Sequence, residues 1–240
     1  MWDLRERDRQ PELMDAPHLD ETLHRRALGA LGRLNYFSRT ARVLFCSLQK
    51  FVPTNGQTLR VLDLATGGGD VAVKIARLAR MQGFPLQISG CDVSPTAINF
   101  AQTAARTAGL VDLDFFQLDA LQDDLPTDFD VIICTLFLHH LTESDSIALV
   151  RRMSEAARLG LLIDDLRRTG LGYFLAWTVG RILSRSPIVH SDGPQSVRAA
   201  FTLDEVRSLV QRAGLREYQL LRHWPQRFLL SWSKPPCPQG

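Results

Sequence analysis

The sequence predicts an open α/β sheet of mostly parallel strands, with helices before it and an antiparallel hairpin at its end. Three observations point there. Apolar runs of strand length alternate with stretches of helical spacing through the middle of the 240 residues, the order of a parallel sheet covered on both faces by right-handed crossovers. The first of those runs is followed at once by three glycines and a helix. Near the C-terminus, two strand-like runs stand close enough to pair antiparallel.

Residues 1–20 are rich in charge and carry Pro11 and Pro17, the pattern of a loosely held arm. From Glu21 the spacing is helical. Leu23, Ala27, Leu31 and Leu34 share one face, and Leu44, Leu48, Phe51 and Val52 repeat the pattern before Pro53, Asn55 and Gly56 break it. Arg60 to Ala65 reads as the first strand and Asp70 to Met81 as the helix after it. Leu86 to Cys91 is the next strand; Ser94-Pro95 then caps a helix reaching about Ala108, with Pro at its first position. Val111 to Leu118 alternates, and Phe129 to Cys134 is a continuous apolar run suited to a buried parallel strand. Glu143 to Arg158 reads as helix and Gly160 to Ile163 as another buried strand. Leu171 to Leu183 is helical and apolar on nearly every side, and Thr202-Leu-Asp-Glu205 is a capping box for a helix reaching Ala213. Leu215 to Leu221 and Arg227 to Trp232 form the expected hairpin. The domain expectation is an arm and helical lid over 1–56, then one α/β domain over 57–240 with a helical insertion at 166–200.

The composition limits the partners. Hydrophobic residues make up 45% and charged residues 22%, and the formal charge of +2 leaves no electrostatic footprint for nucleic acid. Cys46, Cys91, Cys134 and Cys237 contain no C-x-x-C pair, and three sit in apolar runs where cysteine behaves as a small hydrophobe. A disulfide framework or zinc site is therefore not expected. The first 20 residues hold no signal-peptide pattern, and Leu171 to Leu183 is shorter than the roughly 20 residues that span a bilayer. The expectation is a cytoplasmic protein, monomer or homodimer, with no integral membrane segment.

In open α/β sheets, ligands bind where strands end and the strand order reverses. The first strand ends Asp63-Leu-Ala-Thr-Gly67-Gly68-Gly69-Asp70, the second ends at Asp92, and the third at Asp119-Ala120. A carboxylate at Asp92 suits the two hydroxyls of a ribose, and one at Asp119 suits a purine amino group, which describes a nucleoside site. Gly67-x-Gly69-x-x-Ala72 also satisfies the dinucleotide fingerprint. Charge argues against that ligand. A pyrophosphate rests on a helix N-terminus, and here Asp63 and Asp70 flank the turn, repelling a diphosphate and favouring a sulfonium or ammonium. No Lys-Ser or Lys-Thr follows the glycines, so a P-loop is excluded. The plainer readings are turn glycines, a helix-capping Asp92 and a solvated Asp119 crowded by Asp123 and Asp124.

With these motifs in place, residues from about 59 to 165 resemble the class I S-adenosylmethionine-dependent methyltransferases. Asp63-Leu-Ala-Thr-Gly-Gly-Gly-Asp70 is especially similar to the glycine motif of the ubiquinone/menaquinone methyltransferase-like group. The resemblance implies a Rossmann-like seven-stranded sheet whose last strand is antiparallel, and S-adenosyl-L-methionine as cofactor. It also implies the cofactor-binding residues: Asp63, Ala65, Thr66, Gly67 and Gly69 around the methionine part, Asp92 and Val93 at the ribose, Asp119 and Ala120 at the adenine, and Thr135 and Leu136 alongside.

Methyl transfer from a sulfonium needs an aligned, deprotonated acceptor and no acid for the leaving group. A phenol, with pKa near 10, gains from a base, and histidine is the natural one. His139 and His140 follow the fourth strand, and His190 lies in a stretch expected to be a loop before the last helix. These three are the candidate catalytic residues, against the alternative of loop histidines bonded to backbone. Asp164 and Asp165 close the fifth strand, but neighbours on a strand point opposite ways, so no metal is expected. Cys134-Thr135-Leu136-Phe137 lacks the Asn/Asp-Pro-Pro-aromatic stretch associated with nucleobase amino-methylation. Tyr173, Phe174, Leu175, Trp177, Val179, Ile182 and Leu183 cover more than one helix face, and with Tyr36 and Phe37 they can roof a hydrophobic acceptor; ordinary core and a dimer interface are the alternatives. The expected function is methylation of a small hydrophobic, phenolic or quinol-like acceptor, with O-methylation ahead of C-methylation of a quinone precursor. The rivals are an NAD-dependent oxidoreductase, for which no Tyr-x-x-x-Lys pair is found, and a non-catalytic cofactor-binding protein.

Overall fold

A computed structural model describes residues 4–13, 20–51, 56–183 and 187–235. In chain order these form α1 (Glu21–Ser38), α2 (Thr40–Leu48), β1 (Leu59–Leu64), α3 (Asp70–Gln82), β2 (Leu86–Asp92), α4 (Pro95–Thr107), β3 (Asp114–Gln117), β4 (Val131–Thr135), α5 (Glu143–Ala156), β5 (Gly160–Leu166), α6 (Gly170–Leu183), α7 (Pro187–Ala199), α8 (Leu203–Arg212), β6 (Gln219–His223) and β7 (Arg227–Ser233). The strands make one sheet in the order β3-β2-β1-β4-β5-β7-β6. The first five are parallel, and β7 runs antiparallel to both β5 and β6. The order reverses between β1 and β4, and that point opens the crevice in which such sheets bind ligands.

The burial explains the arrangement. Val61, Leu62, Ile132, Ile133, Leu161 and Leu162 are wholly buried, as expected of strands covered on both faces. One face packs against α2, α3 and α4 through residues such as Phe45, Ile75 and Ala101. The other packs against α5 and α8 through Leu149, Met153, Val206 and Leu209. Helix starts are fixed locally. The Ser94 hydroxyl accepts from the Ala97 amide ahead of α4, Thr142 caps α5, and Thr202 with Glu205 forms the reciprocal box that opens α8.

Several expectations shift. The third strand shortens to Asp114–Gln117, because Val111 stands exposed in the turn before it. The hairpin pairs Gln219–His223 with Arg227–Ser233, so β6 begins four residues later than expected. The stretch holding His190 is α7 rather than a loop; Gly180 of α6 and Gly193 of α7 face Val189 and Ala176 at van der Waals distance, and such small residues let the two helices pack closely. Cys46 is exposed on the outer side of α2, while Cys91 and Cys134 are buried; Cys237, Val52, Pro53 and Asn55 lie outside the described residues. So do the side chains of Leu31, Leu34, Tyr36, Phe37 and Leu183.

The largest correction concerns the arm. Residues 4–13 form a strap tied along its length. Arg7 Nη2 donates to the His139 carbonyl at 2.8 Å and Arg9 Nη1 to the His140 carbonyl at 3.0 Å. The Asp8 amide donates to Arg198 O at 3.1 Å, and the Leu13 amide to Asp192 Oδ1 at 3.0 Å. Arg168, buried, donates to the carbonyls of Leu4 and Arg5. Charges and prolines argue for a loose segment only when they lack partners, and these partners lie more than 130 residues away.

Candidate active site

The strand ends are shaped by backbone that bends sharply. After β1, Ala65 (φ 55°), Gly67 (φ 54°) and Gly69 (φ 70°) are left-handed, and after β4 so is Leu136 (φ 53°). Left-handed residues other than glycine are strained and cluster at ligand sites. Gly67 donates its amide to Asp92 Oδ2 at 2.8 Å, and Ser94 donates to Asp92 Oδ1 at 2.9 Å. Asp92 therefore ties the end of β2 to the glycine turn while standing at the crevice, and the cap of the next helix is Ser94 rather than Asp92. Asp119 Oδ1 accepts from the Leu121 amide at 2.8 Å and holds its own loop.

A single cavity of about 890 Å³ gathers Ala65, Thr66, Gly67, Asp92, Val93, Asp119, Ala120, Thr135, Leu136, His139 and His140 on its wall. Asp63, Gly69 and His190 do not reach that wall. Gly69 is held by packing instead: a Cβ there would meet the Ala101 Cβ at 2.7 Å and the Phe115 ring at 3.0 Å. His190 sits on α7 between lining residues Val189 and Gly193 and is not itself among the lining residues. Asp63 lies wholly buried beneath the turn, where Thr66 Oγ1 donates to its Oδ2 at 2.6 Å and its Oδ1 has no partner. Burial, with Asp70 and Asp92 nearby, pushes the Asp63 carboxyl up to about 7 against the Thr66 hydrogen bond.

The donor set fits a cationic nucleoside. Glu12, Asp70, Asp92 and Asp119 put four carboxylates on the wall, and Arg227 is the only Lys or Arg there among the described residues. Lys74, 3.2 Å from Asp70, offsets one of the four. Arg227 is occupied, donating to Asp164 at 3.3 Å, Asn35 at 2.9 Å and Thr40 at 2.6 Å. A pyrophosphate would find acid on every side of this crevice, whereas positive charge is welcome and would relieve the orphaned Asp63.

The far end of the cavity is different. Gly172, Leu175, Ala176 and Val179 of α6, with Val189, Gly193 and Val197 of α7, form an apolar wall. Between the halves, the 3-10 turn Leu138–His140 follows β4. His139 is buried, its Nδ1 2.6 Å from Asp165 Oδ1, and its amide donates to Asp165 Oδ2 at 3.1 Å. Burial acts to raise the Asp165 carboxyl, but the His139 ring and the donors around it outweigh that and hold it below the usual carboxylate range. Asp165 thus holds the Nδ1 edge of the ring, and Nε2 stands on the side of Glu12. Glu12 completes the cluster, its Oε1 3.7 Å from His139 Nε2 and its Oε2 3.9 Å from His140 Nε2. Glu12 went unread in the sequence because nothing around Pro11-Glu12 marks it; only the strap brings it there.

Residues 61–160 match the family model described as Methyltransferase domain. The chain is 30% identical over 128 residues to the Ubiquinone biosynthesis O-methyltransferase of Albidiferax ferrireducens, covering 52% of this chain and 47% of that protein. To the protein of the same name from Ralstonia nicotianae it is 27% identical over 178 residues, covering 72% of this chain and 68% of that one. The chain thus spans about half the length of the first of these relatives and about two thirds of the second. A solved SAM dependent methyltransferase from Aquifex aeolicus shares the fold, with a TM-score of 0.62 at 17% identity over 90% of this chain and 98% of that one.

Proposed function

We propose that this chain, a class I S-adenosylmethionine-dependent methyltransferase by its matched domain and fold, methylates a small hydrophobic acceptor of phenolic or quinol-like type. The observation that carries the reading is the continuity of the cavity, acidic over β1, β2 and β3 and apolar under α6 and α7, with His139 at its middle. The two curated relatives are named as O-methyltransferases of ubiquinone biosynthesis, which supports an oxygen on an aromatic ring.

S-adenosylmethionine, when bound, supplies a methyl group on a positively charged sulfur. Ala65, Thr66 and Gly67 would hold its methionine part, Asp92 and Val93 its ribose, Asp119 and Ala120 its adenine, with Thr135 and Leu136 alongside. Asp63, one layer deeper, acts through the turn it supports. The chain's remaining task is alignment and removal of one proton. Holding reactants in a near-attack geometry is worth several kcal/mol or more. The apolar wall of α6 and α7 orients the ring, and the Glu12–His139–His140 cluster holds the acceptor oxygen deprotonated. The strap, α1, α6 and α7 form the lid over the strand ends and exclude water. The site is built from one chain, so a monomer or a homodimer can act. No helix among the described residues is long and apolar enough to cross a membrane; a cytoplasmic small-molecule enzyme without nucleic-acid substrates fits the near-neutral charge.

Thermal shifts with S-adenosylhomocysteine and with NAD, measured separately, test the cofactor, and methyl transfer to a panel of phenols and quinols tests the reaction. Stabilisation by S-adenosylhomocysteine alone, followed by methylated product, is expected. Stabilisation by NAD alone overturns the reading, and cofactor binding with no product from any acceptor leaves a binding protein.

A further inference from the structure

We propose that Glu12, His139 and His140 form a site for a divalent transition-metal cation of the zinc type, whose open position takes the acceptor oxygen. The proposal rests on the reading above and names how the cluster holds that oxygen deprotonated.

Three features carry it. First, the potential donor atoms converge without bonding one another. Glu12 stands 3.7 Å from His139 Nε2 and 3.9 Å from His140 Nε2, and all three donors lie within 4.8 Å of one another. Both measured separations exceed hydrogen-bond length. Zinc bonds of about 2.0–2.1 Å place tetrahedral ligand atoms about 3.4 Å apart, so the separations of Glu12 from the two imidazoles lie within about half an ångström of that spacing.

Second, the donors are oriented as metal ligands usually are. Asp165 holds His139 through Nδ1 at 2.6 Å, the carboxylate–histidine support that fixes a ligating ring and leaves Nε2 for the cation. Ser196 Oγ donates to Glu12 Oε1 at 2.5 Å. The carbonyls of His139 and His140 are gripped by Arg7 and Arg9 of the strap that carries Glu12, so one segment both delivers a ligand and clamps the other two.

Third, the chemistry suits the site. Two imidazoles and one carboxylate are borderline donors that select Zn²⁺ and its neighbours over Mg²⁺ or Ca²⁺, which prefer oxygen. Three protein ligands leave one position open on the cavity. Coordination there lowers the pKa of a bound oxygen acid, and the released proton passes to solvent. The acceptor class narrows to molecules with an ionisable oxygen, which places O-methylation ahead of C-methylation for this chain.

The test is Co²⁺ titration of the metal-stripped chain, read by visible absorption, with zinc content measured in parallel. S-adenosylhomocysteine thermal shifts serve as the folding control. One equivalent of Co²⁺ displaced by Zn²⁺ is expected. Glu12→Gln and His140→Gln should each weaken it by about 10-fold or more and Asp165→Asn by about 10–100-fold, with the S-adenosylhomocysteine shift retained. His190→Gln, outside the cavity, should bind Co²⁺ like the parent. Parent chain that shifts with S-adenosylhomocysteine and methylates phenols but takes up no stoichiometric Co²⁺ overturns the metal site and leaves the methyltransferase reading standing. Equal Co²⁺ binding by parent and Glu12→Gln/His140→Gln overturns it as well. A parent chain with no S-adenosylhomocysteine shift removes the reading underneath and this inference with it.

Discussion

Asp165 holds His139 at two points, ring Nδ1 at 2.6 Å and backbone amide at 3.1 Å, while its chain neighbour Asp164 serves His223 and Arg227. Successive strand residues face opposite ways, so two adjacent carboxylates serve two histidines that never meet. Asn at 165 has one acceptor where Asp has two. If that oxygen keeps the His139 amide, the new NH₂ faces Nδ1 and drives the ring proton to Nε2. Asp165→Asn should therefore cut turnover on a phenol panel by about 10²–10⁴-fold, with S-adenosylhomocysteine affinity unchanged by calorimetry. Parallel loss of affinity and turnover would mean that the pair supports the fold rather than the reaction.

Asp92 carries a second prediction. Its oxygens accept from Gly67 and Ser94, and a carboxylate can accept about four hydrogen bonds in all, ribose hydroxyls included. Asp92→Ala should weaken S-adenosylhomocysteine binding by about 1–3 kcal/mol, and Asp92→Asn, which keeps one acceptor, by less. Identical affinities for parent and both variants would take Asp92 out of the cofactor site.

Asp63 sets a pH dependence with an unusual sign. Its carboxyl is pushed up to about 7 by burial, against roughly 3.9 in the unfolded chain. Below about pH 4 both states are protonated. Between about 4 and 7 the unfolded chain has lost a proton that the folded chain keeps, so stability falls as pH rises, by up to about 4 kcal/mol in total. Above 7 both are ionised and the slope ends. Asp165 and Glu205 act in the opposite direction, being held low in the fold, but their contribution is complete once the unfolded carboxylates have ionised near pH 5. The window from 5 to 7 thus belongs to Asp63 among these three. Urea midpoints should fall across that window in the parent and stay level in Asp63→Asn. A cationic ligand over the turn favours ionised Asp63, so S-adenosylmethionine should bind more tightly at pH 8 than at pH 6.

What the sequence made legible follows from distance along the chain. The glycine turn and the carboxylates Asp92 and Asp119 each stand at the end of an apolar strand run, so the sequence itself marks the acidic strand ends that the cavity gathers, whereas the bond from the Gly67 amide to Asp92 joins positions 25 apart. Asp63 and Gly69 were legible as a motif but not as wall residues, because only packing shows that one lies beneath the turn and the other against Ala101. The histidine cluster was half legible: His139 and His140 announce themselves after a strand, whereas Glu12 and Asp165 join them across 127 and 26 positions. The strap departs from the loose arm its charges and prolines predict, since its partners, Arg168, Asp192, Ser196 and Arg198, carry no local mark of the pairing.

The apolar wall yields a steric prediction. Ala176 faces the cavity from α6 near Gly193 of α7. Ala176→Leu adds bulk to the apolar end of the cavity under α6 and α7, where the proposed acceptor would lie. KM for two-ring phenols should rise more than KM for single-ring ones, by roughly 10-fold or more for about 1.4 kcal/mol of lost fit, with S-adenosylhomocysteine affinity unaltered. Uniform KM values across acceptor sizes would assign α6 to the core.

Arg168 couples stability to the site. It is 5% exposed and donates to the carbonyls of Leu4, Arg5 and Ala200 as well as to both Glu205 oxygens, at 2.5 and 2.9 Å. The Arg168 guanidinium and backbone donors overcome burial to hold the Glu205 carboxyl below its usual range. Arg168→Met keeps much of the volume and removes every one of those donors. Glu205 is partly exposed and regains water, so the main loss is the strap's anchorage. A fall of roughly 2–3 kcal/mol is expected, seen as a lower urea midpoint at unchanged slope. The functional effect should exceed that cost: once residues 4–13 lift, Glu12 leaves His139 and His140, and turnover should drop below that of Glu205→Gln while S-adenosylhomocysteine still binds. Retention of full turnover in an Arg168→Met chain with a lowered midpoint would show that the strap stabilises the fold without completing the site.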